Sequence, residues 1–399
     1  MLRHRGRPAA LAALLLAVAL LAAACGGGGG GQSGGQSGAP APADGDQGAE
    51  PGQEQGPIVV GFINHLSGDA AVYGTSMQMG TQVALAEINE AGGIGGRPLE
   101  VIYEDDRLDA NQAIAAAQKL INQDGVKVIM GSGSSSLSLA LAPVVDEAGV
   151  LLISSISTNP ALADFENVML VMPSDSAQGA AWAAVARDWG VTEAAVLYIN
   201  NDYGIGVKDI FTREFEAQGG RILASEGFQV GSTDLRTQLL RIRDSGARHV
   251  FMVSHVVEGV LALRQGQELG LDVTWVLDIA MQTQEVIDLA GEAAEGVYAL
   301  QVGRKDHDTY ARFVEAFQAV HGQAPTIWSD FAYDTTRLVA AAIEAVGNGP
   351  EAIKQWLLQV EDFPGATGPI RFGEDGFRSA EGSYQLYRVV DGQWQPVDG

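Results

Sequence analysis

The chain has 399 residues, with 24 Lys and Arg against 49 Asp and Glu, a formal net charge of −25. An acidic surface of that size repels phosphate backbones and anionic headgroups, which argues against nucleic acid as a partner and against direct adhesion to lipid. The chain's single cysteine excludes an internal disulfide.

Residues 1–25 read as a secretory leader. Arg3, Arg5 and Arg7 give a positive start, and Ala9 to Ala24 is a run of Ala, Leu and Val too short and small-sided for a membrane span. The leader ends Leu21-Ala22-Ala23-Ala24-Cys25, which resembles a bacterial lipobox, with Ala22 where Leu is preferred. Cys25 is therefore expected to be lipidated and to anchor the chain outside the cytoplasmic membrane or in the periplasm. Residues 26–56 hold Gly, Ser, Pro, Gln and acids with no large apolar residue, a composition that makes a flexible tether. The remainder, 57–399, is long enough for about two domains.

From Pro57 the chain alternates strand and helix, the signature of parallel α/β sheets. The first set predicts strands at Ile58–Ile63, Leu99–Tyr103, Val126–Met130, Val150–Ile153 and Val168–Val171. Between them lie a helix with Met77, Ala84, Leu85 and Ile88 on one face, a helix capped by Asp109, and a helix closed by Gly149. The second set predicts strands at Ala194–Tyr198, Ile222–Phe228, His249–Val253, Val273–Leu277 and Val297–Val302. Its helices are read near Gln178–Trp189, Ile205–Ala217, Asp234–Ser245 and Glu258–Leu269. Helices at His307–Val320, Ser329–Val346 and Glu351–Val360 follow without strands between them, and Gly368–Val397 alternates as antiparallel strands do. The charge run Glu104-Asp105-Asp106 reads as a solvated stretch after a strand.

Two turns carry the chemistry. Gly131-Ser132-Gly133-Ser134-Ser135-Ser136 follows one strand and opens a helix, and Ser154, Ser155, Ser157, Thr158, Asn159 and Pro160 follow the next. One such turn reads as ordinary capping. Two on neighbouring parallel strands place hydroxyls and open backbone N–H groups at the carboxyl edge of a sheet, where a small anion such as a carboxylate can be received.

In order and spacing the chain also resembles the type I periplasmic-type binding proteins, in particular the branched-chain amino-acid (leucine/isoleucine/valine) binding family of ABC transporters. The resemblance spans 57–399. It is carried by Gly61, Leu66-Ser67-Gly68, Tyr73-Gly74, Glu87-Ile88-Asn89, Gly92-Gly93-Ile94 and Gly131 with Ser134-Ser135-Ser136. Ile153-Ser154, Thr158-Asn159-Pro160, Pro173-Ser174-Asp175-Ser176, Gln178-Gly179, Asp202-Tyr203-Gly204 and Tyr333-Asp334 continue it. It implies an α/β fold of two doubly wound parallel-sheet lobes, 57–173 plus 303–366 and 174–302 plus 367–399. Three hinge crossovers, near Met172–Ser174, Gln301–Gly303 and Gly365–Pro369, would join them in a Venus-flytrap arrangement.

By the same resemblance Ser135 and Thr158 hold a ligand carboxylate, with Ser134 and the backbone of Ile156 beside them, and Tyr73 and Tyr203 form aromatic walls. The family places an acid for the amine shortly after the strand matched by Val273–Leu277. Asp278 is the only acid in Asp278-Ile279-Ala280-Met281 and stands one place off that position. The family's second tyrosine falls at His255 or Val256, so the amine end of a ligand is less well matched than the carboxylate end.

Enzymatic readings find little support. Gly133 stands where a G-x-S-x-G elbow needs its serine, and no histidine spacing forms a triad or a metal motif. The glycine run 92–96 follows a helix rather than a strand and is no dinucleotide loop. The resemblance thus implies a substrate-binding protein of an ABC importer, not an enzyme, monomeric and without cofactor or metal. It would capture a small amino acid or related amide or carboxylate and deliver it to permease subunits. The alternative is a ligand-sensing or partner-activating surface lipoprotein of the same fold.

Overall fold

Apolar runs covered on both faces build the first sheet except at its partly exposed edge strand, as parallel strands require. The computed structural model describes residues 56–68, 70–305 and 307–397. The leader with Cys25, and the tether up to residue 55, lie outside the described residues. The chain runs β1 (Ile58–Asn64), α1 (Ala71–Glu90), β2 (Leu99–Asp105), α2 (Ala110–Asn122), β3 (Val128–Gly131), α3 (Ser135–Ala148), β4 (Leu151–Ser154) and β5 (Val168–Leu170). These strands lie in the order β2-β1-β3-β4-β5, all parallel. Asp109 caps α2 as its position predicts, its carboxylate accepting from Gln112 N at 2.9 Å.

The second set follows as α4 (Asp175–Asp188), β6 (Glu193–Ile199), α5 (Asp202–Ala217), β7 (Arg221–Phe228), α6 (Arg236–Ser245), β8 (His249–Val253), α7 (Val256–Glu268), β9 (Thr274–Leu277), α8 (Gln284–Ala290) and β10 (Tyr298–Val302). Helices α9 (Asp308–His321), α10 (Ser329–Val346) and α11 (Pro350–Leu358) come next. Strands β11 (Phe363–Gly365), β12 (Gly368–Ile370), β13 (Tyr384–Val390) and β14 (Gln393–Pro396) complete the described chain. The second sheet reads β14-β13-β10-β9-β8-β6-β7, with β13 and β14 antiparallel on one side and the rest parallel. Trp182 packs edge-on to Phe211 and Phe251 beneath it, with ring centroids 5.6 and 5.5 Å apart.

Helix α10 returns to the first set and lies close on α1. A Cβ at Gly80 would collide with the Ser329 carbonyl, so the two backbones approach there only because the residue is glycine. Tyr333 OH donates to Glu87 at 2.6 Å across the same contact. After β12 the chain runs beside β5, where Leu170 N donates to Gly376 O and Arg378 N to Leu170 O, both at 2.9 Å. This covers an otherwise open sheet edge.

Three expectations are corrected. The stretch 368–397 is not strand throughout: 371–379 turns back on itself through a single antiparallel bridge, Phe372 to Arg378, with Gly373 N donating to Phe377 O and Ser379 N to Arg371 O at 2.8 Å, and lies against the edge of β5. Helix α8 lacks a long apolar pattern and is marked only by its cap, Thr283 Oγ1 accepting from Val286 N at 3.3 Å. The run Glu104-Asp105-Asp106 is not solvated charge. Asp106 is fully buried and accepts from Leu108 N at 2.9 Å and Ser132 Oγ at 3.1 Å. Asp105 accepts from Leu66 N at 2.9 Å and Arg107 N at 3.0 Å, folding the loop after β1 onto the end of β2.

Candidate ligand-binding cleft

In both sheets the direction of strand addition reverses at the strand next to one edge, β1 in the first and β6 in the second. Crevices open at the carboxyl ends beside such reversals. β3 ends at Gly131, whose φ of 135° and proximity to the Ile63 carbonyl exclude a side chain. The turn behind it is tied internally. The Ser132 carbonyl accepts from Ser154 Oγ at 2.9 Å, Ser157 Oγ at 3.0 Å and Ser138 Oγ at 3.3 Å. Gly133 N donates to Asn64 Oδ1 at 2.7 Å.

Most serines of the two polar turns thus hold the turns to each other. Ser134 caps α3 by position but makes no side-chain cap bond, so the first N–H groups of that helix are left to other partners. Ser135 Oγ accepts from Thr158 N at 3.3 Å. The buried Thr158 hydroxyl makes no well-formed hydrogen bond among the described residues and stands beside the Asp175 carboxyl.

Ser134, Ser135 and Thr158 line a cavity of about 320 Å³, near the lower end of the range of roughly 300–1,000 Å³ usual for small-molecule sites. Ile156, Tyr73, Tyr203 and His255 line it too, so seven of the residues read from sequence converge on one space. Leu108, Leu137, Met172, Ile279 and Trp328 supply apolar wall. His65 and Trp328 were not among the sequence candidates. His65 follows the carboxyl end of β1, which is a usable signal, whereas Trp328 arrives from the start of α10 and carries none.

Contacts bridge the cavity from the first sheet's side to the second's. Val256 N donates to Tyr73 OH at 3.1 Å, Asn159 Nδ2 to the Asp202 carbonyl at 2.9 Å, and Asp202 N to Ser136 Oγ at 3.4 Å. The Tyr73 and His255 rings lie 5.8 Å apart. The cleft is closed. Burial pulls the His255 imidazole below its ordinary pKa, which favours the neutral ring.

Asp278 does not line the cavity. Fully buried, it accepts from Tyr203 OH at 2.8 Å, Ser254 N at 3.1 Å and Met281 N at 3.2 Å. Burial outweighs those donors and pushes its carboxyl up to about 7. Asp175, at the start of α4, is also fully buried; neither oxygen makes a well-formed hydrogen bond among the described residues, though the Thr158 hydroxyl beside it favours the charged form. Burial, with the Asp278 charge adding to it, raises Asp175 to about 8.

Both carboxyls hold protons in the folded chain at pH values where unfolded carboxyls, near 3.8, have lost them. Stability is therefore full below about pH 4 as far as these groups are concerned and falls as pH rises through 7 to 8. The melting midpoint of the empty protein is expected to be higher at pH 5 than at pH 8. Asp175→Asn should flatten that slope; an unchanged slope would remove Asp175 as its source.

A small cavity between two largely parallel sheets, lined by hydroxyls and apolar side chains together, defines a two-lobed ligand-binding protein. The chain belongs to the Periplasmic binding protein family, whose profile matches residues 57–393. It is 28% identical over 324 residues to the leucine-, isoleucine-, valine-, threonine- and alanine-binding protein of Pseudomonas aeruginosa, covering 80% of this chain and 86% of that one. Among solved structures it is similar to a leucine binding protein of Thermotoga maritima, with a TM-score of 0.79 at 25% identity over 86% of this chain and 98% of the other. It is also similar to the branched-chain amino acid transporter substrate binding protein of Streptococcus pneumoniae in complex with isoleucine, with a TM-score of 0.76 at 25% identity over 86% and 99%. The fold is that of the type I periplasmic binding proteins.

Proposed function

We propose that this chain is the extracytoplasmic substrate-binding component of an ABC importer, and not an enzyme. It captures a small amino acid of branched-chain type, or a related amide or carboxylate, and hands it to permease subunits. The observation that carries the reading is the Ser135–Thr158 end of the closed cavity, where the Thr158 hydroxyl, with no well-formed hydrogen bond among the described residues, and the start of α3 meet apolar walls. Ser134, Ser135, Thr158 and the Ile156 backbone hold the carboxylate. Tyr73 and Tyr203 stack on the body of the ligand, and His255 donates from the second lobe.

The lobes are 57–173 with 303–366 and 174–302 with 367–399, the segment 371–378 lying against the first. Ligand contact with both lobes favours closure. The chain acts as a monomer, held at the membrane through lipidated Cys25. The ligands for which the relatives are named support the amino-acid class.

The test is a thermal-shift screen of the purified chain with Leu, Ile, Val, their amides and short carboxylates. A true ligand at a hundredfold excess over its dissociation constant adds about 2.7 kcal/mol to stability and raises the midpoint. Silence across the panel would refute the reading.

A further inference from the structure

We infer that the ligand of this cleft has a carboxylate and an apolar body but no ammonium group: it is a branched aliphatic or aromatic monocarboxylic acid. This rests on the reading of Ser135 and Thr158 as the carboxylate end. Among the described residues, no carboxylate lines the cavity. The turn after β9 presents Ile279 and Ala280 to the space and holds Asp278 away from it. Asp278 already accepts three hydrogen bonds, one of them from Tyr203, which covers it from the cavity side. Asp175 is likewise fully buried without lining the space.

An α-ammonium drawn into the closed cleft would lose its hydration and meet hydroxyls, imidazoles and apolar side chains. Among the described side chains it finds no anionic partner, whereas an oxyanion can be held by neutral N–H and O–H donors at a helix start. A carboxylate alone finds the Ser135 and Thr158 hydroxyls and the open N–H groups at the start of α3, and its hydrocarbon body finds Leu137, Met172, Ile279 and Trp328.

The experiment is calorimetric titration of the full chain with matched pairs: 4-methylpentanoate against leucine, and 3-phenylpropanoate against phenylalanine. Leucinamide, which keeps the ammonium and lacks the carboxylate, is the third probe. At least one deamino acid is expected to bind roughly a hundredfold more tightly than its amino partner. Ile279→Glu, with its melting curve recorded as a check on folding, is expected to shift the preference toward the amino acid. Tighter binding of the amino acids by the unaltered chain would overturn the inference and leave the carboxylate reading standing. Binding of leucinamide alone, or of none of the probes, would remove the carboxylate reading and the inference with it.

Discussion

Ligand affinity falls by roughly tenfold or more in Ser135→Ala and in Thr158→Ala, and in the double variant by more than either single loss but less than their product, while the fold persists. A hydrogen bond to a charged group contributes about 1.5–3 kcal/mol, which sets that scale. The two losses should not add, because Ser135 Oγ already accepts from Thr158 N, and removing one side chain changes what the other can offer. The fold is expected to survive because the turns are tied elsewhere, through the Ser132 carbonyl and the hydroxyls of Ser138, Ser154 and Ser157. Those three serines supply the contrast. Ser157→Ala should lower the melting midpoint and leave each surviving folded molecule able to bind. Calorimetry with melting curves separates the two behaviours, and undiminished affinity in both Ser135→Ala and Thr158→Ala would sink the carboxylate assignment.

Asp334→Ala is expected to cost about 3–5 kcal/mol of folding stability, the range for breaking a buried charge cluster from one side. The Asp334 carboxylate, fully buried on α10, accepts from Ala366 N at 2.6 Å, Thr367 N at 2.9 Å and Thr367 Oγ1 at 2.6 Å. Thr367 Oγ1 accepts in turn from Arg378 Nη1 at 2.6 Å, and Arg378 Nη2 donates to the Thr367 carbonyl at 3.0 Å. Alanine would strand three donors and take the nearby negative charge from a buried guanidinium. The loss falls on the segment between β11 and β12, where the chain passes from α11 toward the second sheet. Asp334→Asn keeps the shape and part of the hydrogen bonding and should lose less. Urea denaturation measures both, and a loss under about 1 kcal/mol for alanine would show that the cluster contributes little.

The element pattern was legible because each segment carries its own period. Parallel strands buried on both faces read as continuous apolar runs, and helices announce themselves by caps such as Asp109 and by closing glycines such as Gly149. The bounds predicted for β8 and α10 coincide with those observed, and most others differ by a few residues at the ends, where capping and ladder bonds rather than periodicity decide. The hydroxyl-rich turns were legible for the same reason. Strand, turn and helix start are consecutive in the chain, so their side chains are bound to share an edge.

What the sequence determined by itself is therefore the alternating α/β order and the Ser135–Thr158 edge, both products of neighbours along the chain. The tertiary structure alone decided which hydroxyls are committed to the Ser132 carbonyl, that Asp106 is buried rather than solvated, and that Trp328 reaches the cavity from far along the chain. It also decided that Ile279, and not Asp278, lines the cavity. Each of these depends on which segments pack together over long separations, and on whether a polar group meets water or a buried donor. No local pattern carries that information.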